Sequence, residues 1–314
     1  MPRLLLTALF LCFLSLNSYS WDDIGHKITG YIAWQRMSPA ARENVVKLLR
    51  SAPEDSQLGA FYMNYGPKSD EAKRFDYFVF VPTWADVVRD RAFPVRYEKY
   101  HKSNWHYSDT FWRQVNGKVE LITDKQPGGL GVAKLIDFDK TMKETAATPA
   151  DKAIAIAWFL HVGGDLHQPL HTSGRHTDRE KEGDQGGNFF LLTPEGTKRE
   201  DQVNLHWFWD SIVGRNVPFA PFYDEGNYVR TIAESFMVRY PFDSQKAALM
   251  LGDYPGWQKE SFALANTDVF RTDLERFKTP SDPYRRNAYA VAEQRLAMAG
   301  YRLGETLNVI FGKQ

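Results

Sequence analysis

His161-Val-Gly-Gly-Asp165-Leu-His167-Gln-Pro-Leu-His171 is the stretch on which the fold of this chain turns. Upstream, Thr148-Pro149-Ala150-Asp151 is a strong helix start, with a hydroxyl cap followed by proline in the first turn. The apolar residues that follow carry that helix to about residue 167. His161 and Asp165 are four apart, so they project from one helical face and can meet a single ion. Pro169 ends the helix and lets His171 swing towards a neighbouring site. His206-Trp-Phe-Trp-Asp210 repeats the four-residue spacing on another helix. Either pair alone is more often a core histidine or a surface ion pair. Both pairs together with His171 supply nitrogen and oxygen ligands of the type zinc prefers, so a metal cluster built on helices is the better reading.

Around this stretch the pattern is mainly α. Residues 26–36 and 39–50 are expected to be helical, the second capped by Ser38 with Pro39 at its first turn. A short helical piece is expected at 84–90, after the apolar run Tyr77-Phe78-Val79-Phe80-Val81. Further helices are expected at 132–144, 202–213, 226–239 and 256–271. A long last helix is expected at 283–310, where Ala292, Leu296, Ala299, Leu303 and Leu307 fall at helical spacing. Asn116-Gly117 signals a polar hairpin. Asn188 to Leu192, with a turn at Pro194-Glu195-Gly196, suggests a second small one. No linker or internal repeat interrupts the series, so one helical domain is expected over residues 21–314.

Residues 1–20 have the layout of a secretory signal: Arg3, an apolar run from Leu4 to Leu16, then small residues at Ser18 and Ser20. Cleavage there would leave Trp21-Asp22-Asp23-Ile24-Gly25-His26. A free α-amine has a pKa near ~8, so a metal can displace its proton near neutral pH. The amine and carbonyl of Trp21 would then form a five-membered chelate, with the His26 imidazole nearby. Hydrophobic residues make up 43% and charged residues 25% of the chain, a globular composition. The single cysteine, Cys12, lies in the signal, which excludes disulfides and a cysteine zinc site from the remainder. The absence of an Asn-x-Ser/Thr sequon leans towards a bacterial periplasmic or secreted protein. No second apolar stretch is long enough for a membrane anchor, and no obligate protein partner is evident. Lys plus Arg and Asp plus Glu are equal at 39 each, whereas proteins that grip duplex nucleic acid usually carry a basic excess. If a nucleic acid is the substrate, metal ions and aromatic stacking must supply much of the grip. Aromatic residues are 14% of the chain.

Trp21, Trp84-Ala-Asp86-Val-Val-Arg89, Trp105-His106-Tyr107-Ser108-Asp109, the 161–171 stretch, Asn204-Leu-His206 through Asp210, and Arg295-Leu-Ala-Met-Ala-Gly-Tyr-Arg-Leu together resemble the S1/P1 nuclease family. The order and spacing of the ligand positions make this resemblance specific from Trp21 to the last helix. It implies the helical fold of the phospholipase C/P1 nuclease type and three Zn2+ ions. One ion would take Asp86, His106, His161 and Asp165; a second His171, His206 and Asp210; the third the Trp21 amine and carbonyl, His26 and the other oxygen of Asp165. Sharing Asp165 would fix the separation of two ions. Arg89, one helical turn after Asp86, matches an arginine that stabilises charge on phosphorus. Tyr107 and Asp109 match a base-binding pair, and Asn188 matches a residue beside the substrate cleft. His101, His167 and His176 match no ligand position and are expected to be structural or exposed.

The implied activity is hydrolysis of single-stranded DNA and RNA to 5′-phosphorylated products, with cleavage of nucleoside 3′-monophosphates as well. Three departures bear on substrate preference. Asp22 stands where the family often has glycine, residues 172–205 are longer than in fungal members, and the fungal disulfides are absent. The extra length falls near Arg175-His-Thr-Asp-Arg-Glu-Lys-Glu, a solvated loop by the cleft. The close alternative is a zinc-dependent phospholipase C, whose last ligand is typically Glu where this chain has Asp210. A metal-storage or structural protein is the alternative from another class; Arg89 beside a complete ligand set speaks against it.

Overall fold

The computed structural model describes residues 21–126, 128–221 and 224–313 of the chain. The signal sequence read at 1–20, and its cleavage site, lie outside the described residues.

The helices and strands run in chain order as α1 (Asp23–Arg36), α2 (Pro39–Leu49), α3 (Asp70–Phe80), α4 (Trp84–Val87), α5 (Pro94–Tyr100), β1 (Ser108–Val115), β2 (Lys118–Leu121), β3 (Gly128–Gly129), α6 (Gly131–Lys143) and α7 (Pro149–Asp165). Then come β4 (Ser173–His176), α8 (Leu205–Asp210), α9 (Ile212–Asn216), α10 (Glu225–Arg239), α11 (Phe242–Gln245), α12 (Tyr254–Leu264) and α13 (Asp282–Phe311). The architecture is mainly α with one small sheet.

Helix α7 is the axis. Thr148 and Asp151 form a reciprocal capping box, and from Ala155 to Asp165 every residue is buried. A helix apolar all round must be covered on all sides, and α1, α2, α6 and α13 pack around this one. Glycines set the distances. A Cβ on Gly163 would lie 2.5 Å from Leu303 Cδ2, and one on Gly164 would lie 3.2 Å from His26 Nδ1. The pair of glycines in the deciding stretch therefore lets α13 and α1 approach α7, at about 1 kcal/mol of helix propensity each. Gly300 and Gly304 do the same between α13 and α1, facing Ile32 and the Ala33 carbonyl.

Below the carboxy end of α7 sits a buried charge network. Arg302, fully buried, donates to both oxygens of Glu260 and to His167 Nε2, while His167 Nδ1 donates to the Gly163 carbonyl. Ser261 Oγ donates to the Leu166 carbonyl. The corner at 165–168 is thereby held from beneath by α12 and α13.

The polar hairpin forms as expected, β1 against β2 with Asn116 and Gly117 both at positive φ. The second hairpin is reduced to one antiparallel bridge, flanked by bonds from Leu192 N to Val203 O and from Leu205 N to Phe190 O. That bridge joins Leu191 to Asn204, the Leu191 carbonyl accepts from Phe277 N, and Pro194 has no N–H to continue a ladder. Strand β4 pairs in parallel with β1 instead. The helix expected at 202–213 divides in two. Asn204 caps α8 through Trp207 N, and Ser211 leaves helical geometry before α9. Residues 256–271 also divide, α12 passing into a π turn at Ala265–Val269. The apolar run 77–81 closes α3, with Tyr77, Phe78 and Val79 all buried.

Candidate metal centre and substrate cleft

The ligand candidates come from several elements, α7 carrying both His161 and Asp165 and α8 both His206 and Asp210, and three of the histidines are oriented by backbone carbonyls. His161 on α7 donates through Nδ1 to Pro82 O at 2.6 Å. His171, after the Pro169 corner, donates to His106 O at 2.8 Å, and His206 on α8 donates to Gly186 O at 2.7 Å. Spending Nδ1–H on a carbonyl fixes the ring and aims Nε2 inward, the outer-shell arrangement of metal-binding histidines.

The inward atoms converge. His161 Nε2 lies 3.1 Å from Asp165 Oδ2 and 3.8 Å from Asp86 Oδ1. His106 Nδ1 lies 3.2 Å from the same Asp165 oxygen, and His26 Nε2 is 3.3 Å from the other, Oδ1. Asp165 thus presents one oxygen to each of two histidine sets. On the far side, His171 Nε2 and His206 Nε2 lie 3.7 and 3.4 Å from the two oxygens of Asp210. Three groups have their ligand atoms mutually within 4.8 Å: His26 with Asp86 and His161, His106 with His161 and Asp165, and His171 with His206 and Asp210. His26 groups with Asp86 as well as with Asp165, so the sets expected for the first and third ions are contiguous.

The donors fit a divalent cation. His161 Nε2 and His106 Nδ1 face each other at 2.8 Å, which requires a proton or a cation between them. His171 Nε2, Asp165 Oδ1 and Asp210 Oδ2 are buried with no hydrogen-bond partner among the described residues, a cost that coordination would remove. Burial lowers the pKa of His171 and of His206, and pulls His106 down to about 3 with help from Arg89. These rings are neutral, the form that ligates metal. Burial would raise Asp165, but His161 and His106 hold it well below the usual carboxylate range. Burial raises Asp210 to about 7 despite His206 and Gln168.

Trp21 is fully buried, its indole donating to Gly164 O at 3.1 Å, and the next amide, Asp22 N, donates to Asp210 O at 3.1 Å. The amino-terminal segment therefore lies against the carriers of both Asp165 and Asp210.

A cleft of about 570 Å³ opens over the centre, lined by Arg89, His106, Tyr107, Asp109, His171, Asn188 and His206. Arg89 Nη2 contacts Asp86 Oδ1 at 2.9 Å. Tyr107 and Asp109 are held by the diglycine strand β3; a Cβ on Gly129 would lie 2.2 Å from Tyr107 O, and one on Gly128 3.0 Å from Asp109 Oδ2. Burial, and then the charge of Asp184, raises Asp109 well above the usual carboxylate range. Asn188 donates to Gln185 O and accepts from Asn204 Nδ2. The histidine and aspartate candidates thus meet at the centre, Arg89, Tyr107, Asp109 and Asn188 line the cleft, and Trp21 packs beside them through its indole.

The sequence reading passed over others. Gln168 donates to Asp210 Oδ1 at 2.7 Å and accepts from Leu170 N at 2.5 Å; it stood in view as a spacer between ligands. Gly186, at φ +60°, supplies the carbonyl that orients His206. His101 lines the cleft with Arg91 and Tyr97. His167 and His176 are structural, as expected, bonded to Gly163 O and Lys181 O.

A family model described as S1/P1 Nuclease matches residues 21–312. The chain is 23% identical to Nuclease S1 of Aspergillus oryzae, over 99% of this chain and 98% of that protein. It is 20% identical to Nuclease P1 of Penicillium citrinum, over 94% and 99% respectively. It is 23% identical to Endonuclease 2 of Arabidopsis thaliana, over 98% and 97%.

Proposed function

We propose, from the plain fact that this chain belongs to the S1/P1 nuclease family, that it is a zinc-dependent phosphodiesterase acting on single-stranded DNA and RNA. The observation that carries the reading is the division of Asp165, whose two oxygens face separate histidine sets within one buried centre. Three zinc ions would be held by Trp21 and His26 with Asp165, by Asp86, His106 and His161 with Asp165, and by His171, His206 and Asp210. Bound zinc would supply Lewis acidity and lower the pKa of water to about 7.

The protein's own residues do the rest. The lowered pKa values of His106, His171 and His206, and that of Asp165, keep competing protons from those ligands. Arg89, fixed by Asp86, places a permanent positive charge at the cleft, where it neutralises charge developing on the phosphoryl oxygens. Tyr107 offers a stacking face, and Asp109 beside it faces the base edge. Asn188, on the same cleft, orients the nucleotide. A base must be splayed out of a helix to reach this pair, so duplexes are poor substrates. Cleavage on the 3′-oxygen side leaves 5′-phosphates and 3′-hydroxyls. Nucleoside 3′-monophosphates carry the same scissile bond and are substrates too. Residues 1–20 act as a cleaved signal, so the catalytic domain, 21–314, is secreted or periplasmic; no described helix is long and apolar enough to cross a membrane.

The test is direct. Chain beginning at Trp21 is incubated with single-stranded DNA, RNA, 3′-AMP and phosphatidylcholine, with and without chelator. Chelator-sensitive release of 5′-phosphorylated products and of phosphate from 3′-AMP is expected. Hydrolysis of phosphatidylcholine alone, or turnover indifferent to chelator, would overturn the reading.

A further inference from the structure

Beside the centre, one lip of the cleft is cationic and firmly built, and none of its residues belongs to a ligand group. The chain as a whole balances its charges, yet Arg89, Arg91 and Lys102 gather around His101. Burial lowers the pKa of His101, and the charges of Arg89, Lys102 and Arg91 lower it further against the pull of Asp86. Arg91 and His101 line the same cleft as His106, Tyr107 and His171.

The lip is pre-organised. Tyr97 stacks on His101 with ring centroids 4.8 Å apart and planes at 21°. The Arg91 guanidinium lies 5.1 Å from the centre of the Tyr97 ring and donates to its hydroxyl at 3.2 Å. Behind them α5 is anchored by buried Arg96, which donates to Gln57 Oε1 and Val87 O, and by Tyr100, which donates to Asp55 Oδ1. His101 Nδ1 is buried with no hydrogen-bond partner among the described residues. Cations beside a stacked aromatic pair are what a groove tracking a single strand uses.

We propose that Arg91, His101 and Lys102 form a second phosphate subsite, which takes the phosphodiester adjacent to the scissile one in a single-stranded substrate. The proposal rests on the nuclease reading and deepens it: the preferred substrate is an oligonucleotide, and a nucleoside 3′-monophosphate leaves this lip unused. With the reacting phosphate over the centre and the base at Tyr107 and Asp109, the strand continues along the wall that Arg91 and His101 build.

The experiment compares the wild-type chain, beginning at Trp21 and loaded with zinc, with Arg91→Ala/Lys102→Ala and with Arg91→Lys. For each, kcat/KM is measured for a tetranucleotide and for 3′-AMP over a series of salt concentrations. In the double variant the tetranucleotide-to-3′-AMP ratio of kcat/KM should fall about tenfold, the size expected for a lost charge-assisted phosphate contact. The slope of log kcat/KM for the tetranucleotide against log salt should flatten by about 0.7 per cation removed. Arg91→Lys keeps the charge, so its slope should stay near wild type. An unchanged ratio and slope in the double variant would overturn the subsite. If the wild-type chain turns over neither substrate, it is the nuclease reading that fails. The subsite is then decided by anisotropy of a labelled tetranucleotide in chelator: weaker, flatter binding by the double variant supports it, and equal binding overturns it.

Discussion

Gln168→Leu removes two hydrogen bonds from a fully buried corner of the molecule and changes little else in volume. Gln168, Leu170 and Asp210 are at most 1% exposed, so no solvent replaces what is lost. Leu170 N, which donates to Gln168 Oε1, is left unsatisfied at a cost of about 1–3 kcal/mol. Asp210 Oδ1 loses its donor as well. Without metal that second loss is softened, because burial already raises Asp210 to about 7 and the carboxyl can take a proton instead. The metal-free variant should therefore melt about 2–12 °C lower, taking about 2–4 °C per kcal/mol for a domain of this size. With metal the loss is of another kind. Asp210 must be ionised and correctly turned towards His171 and His206, and a missing outer-shell donor typically costs 10–100-fold in metal affinity. Zinc titration of the chelator-stripped protein should show one class of site weakened by that factor and the others unmoved. A metal-free melting temperature within about 1 °C of wild type, together with unchanged zinc affinity, would refute the assignment of Gln168 as the residue that positions Asp210.

Asp165→Asn keeps shape but removes the charge facing both histidine sets; metal analysis should show loss of at least one zinc, with a fall in rate of at least ~10³-fold. An extra residue before Trp21 turns the α-amine into an amide, so a Met-Trp21 chain should lack the third ion and be nearly inactive, while Trp21→Phe keeps more activity; equal activity of extended and processed chains would contradict the amino-terminal ligand. Burial raises Glu260, but Arg302 and Arg295 outweigh it and depress its pKa. Its stabilisation is therefore complete above the unfolded carboxylate value and is lost as pH falls through the lower folded value. Glu260→Gln should flatten the acid limb of melting temperature against pH relative to wild type.

Much of this was legible because the local signals are strong. The cap at Thr148, the long apolar period of α13 and the Asn116-Gly117 turn each fix an element without help from distant residues. Ligand pairs at four-residue spacing announce a shared helical face. What was missed depends on partners far away in the chain. Strand β4 is a strand only because β1 lies beside it in parallel. The turn at Pro194 forms, with Thr197 N donating to Pro194 O, yet its arms meet at a single bridge, because Pro194 has no N–H with which to extend the ladder. His101 carries no spacing signal; the anchoring of α5 delivers it to the cleft. Gln168 sat inside the deciding stretch, but only the fold reveals that it faces Asp210.

The glycine-lined seam between α1 and α13 has a consequence for when the centre can exist. Helix α1 carries His26 and follows directly on Trp21, yet its principal neighbour is α13, which ends at Phe311. The first ligands to leave the ribosome thus have their main packing partner among the last residues made. A nascent chain short of α13 holds its histidines dispersed, and neither Gly300 nor Arg302 is present to bring α1 and the end of α7 together. Assembly of the centre is therefore post-translational. Loss of α13 should therefore cost the ligand set as a whole and not only the packing of α1.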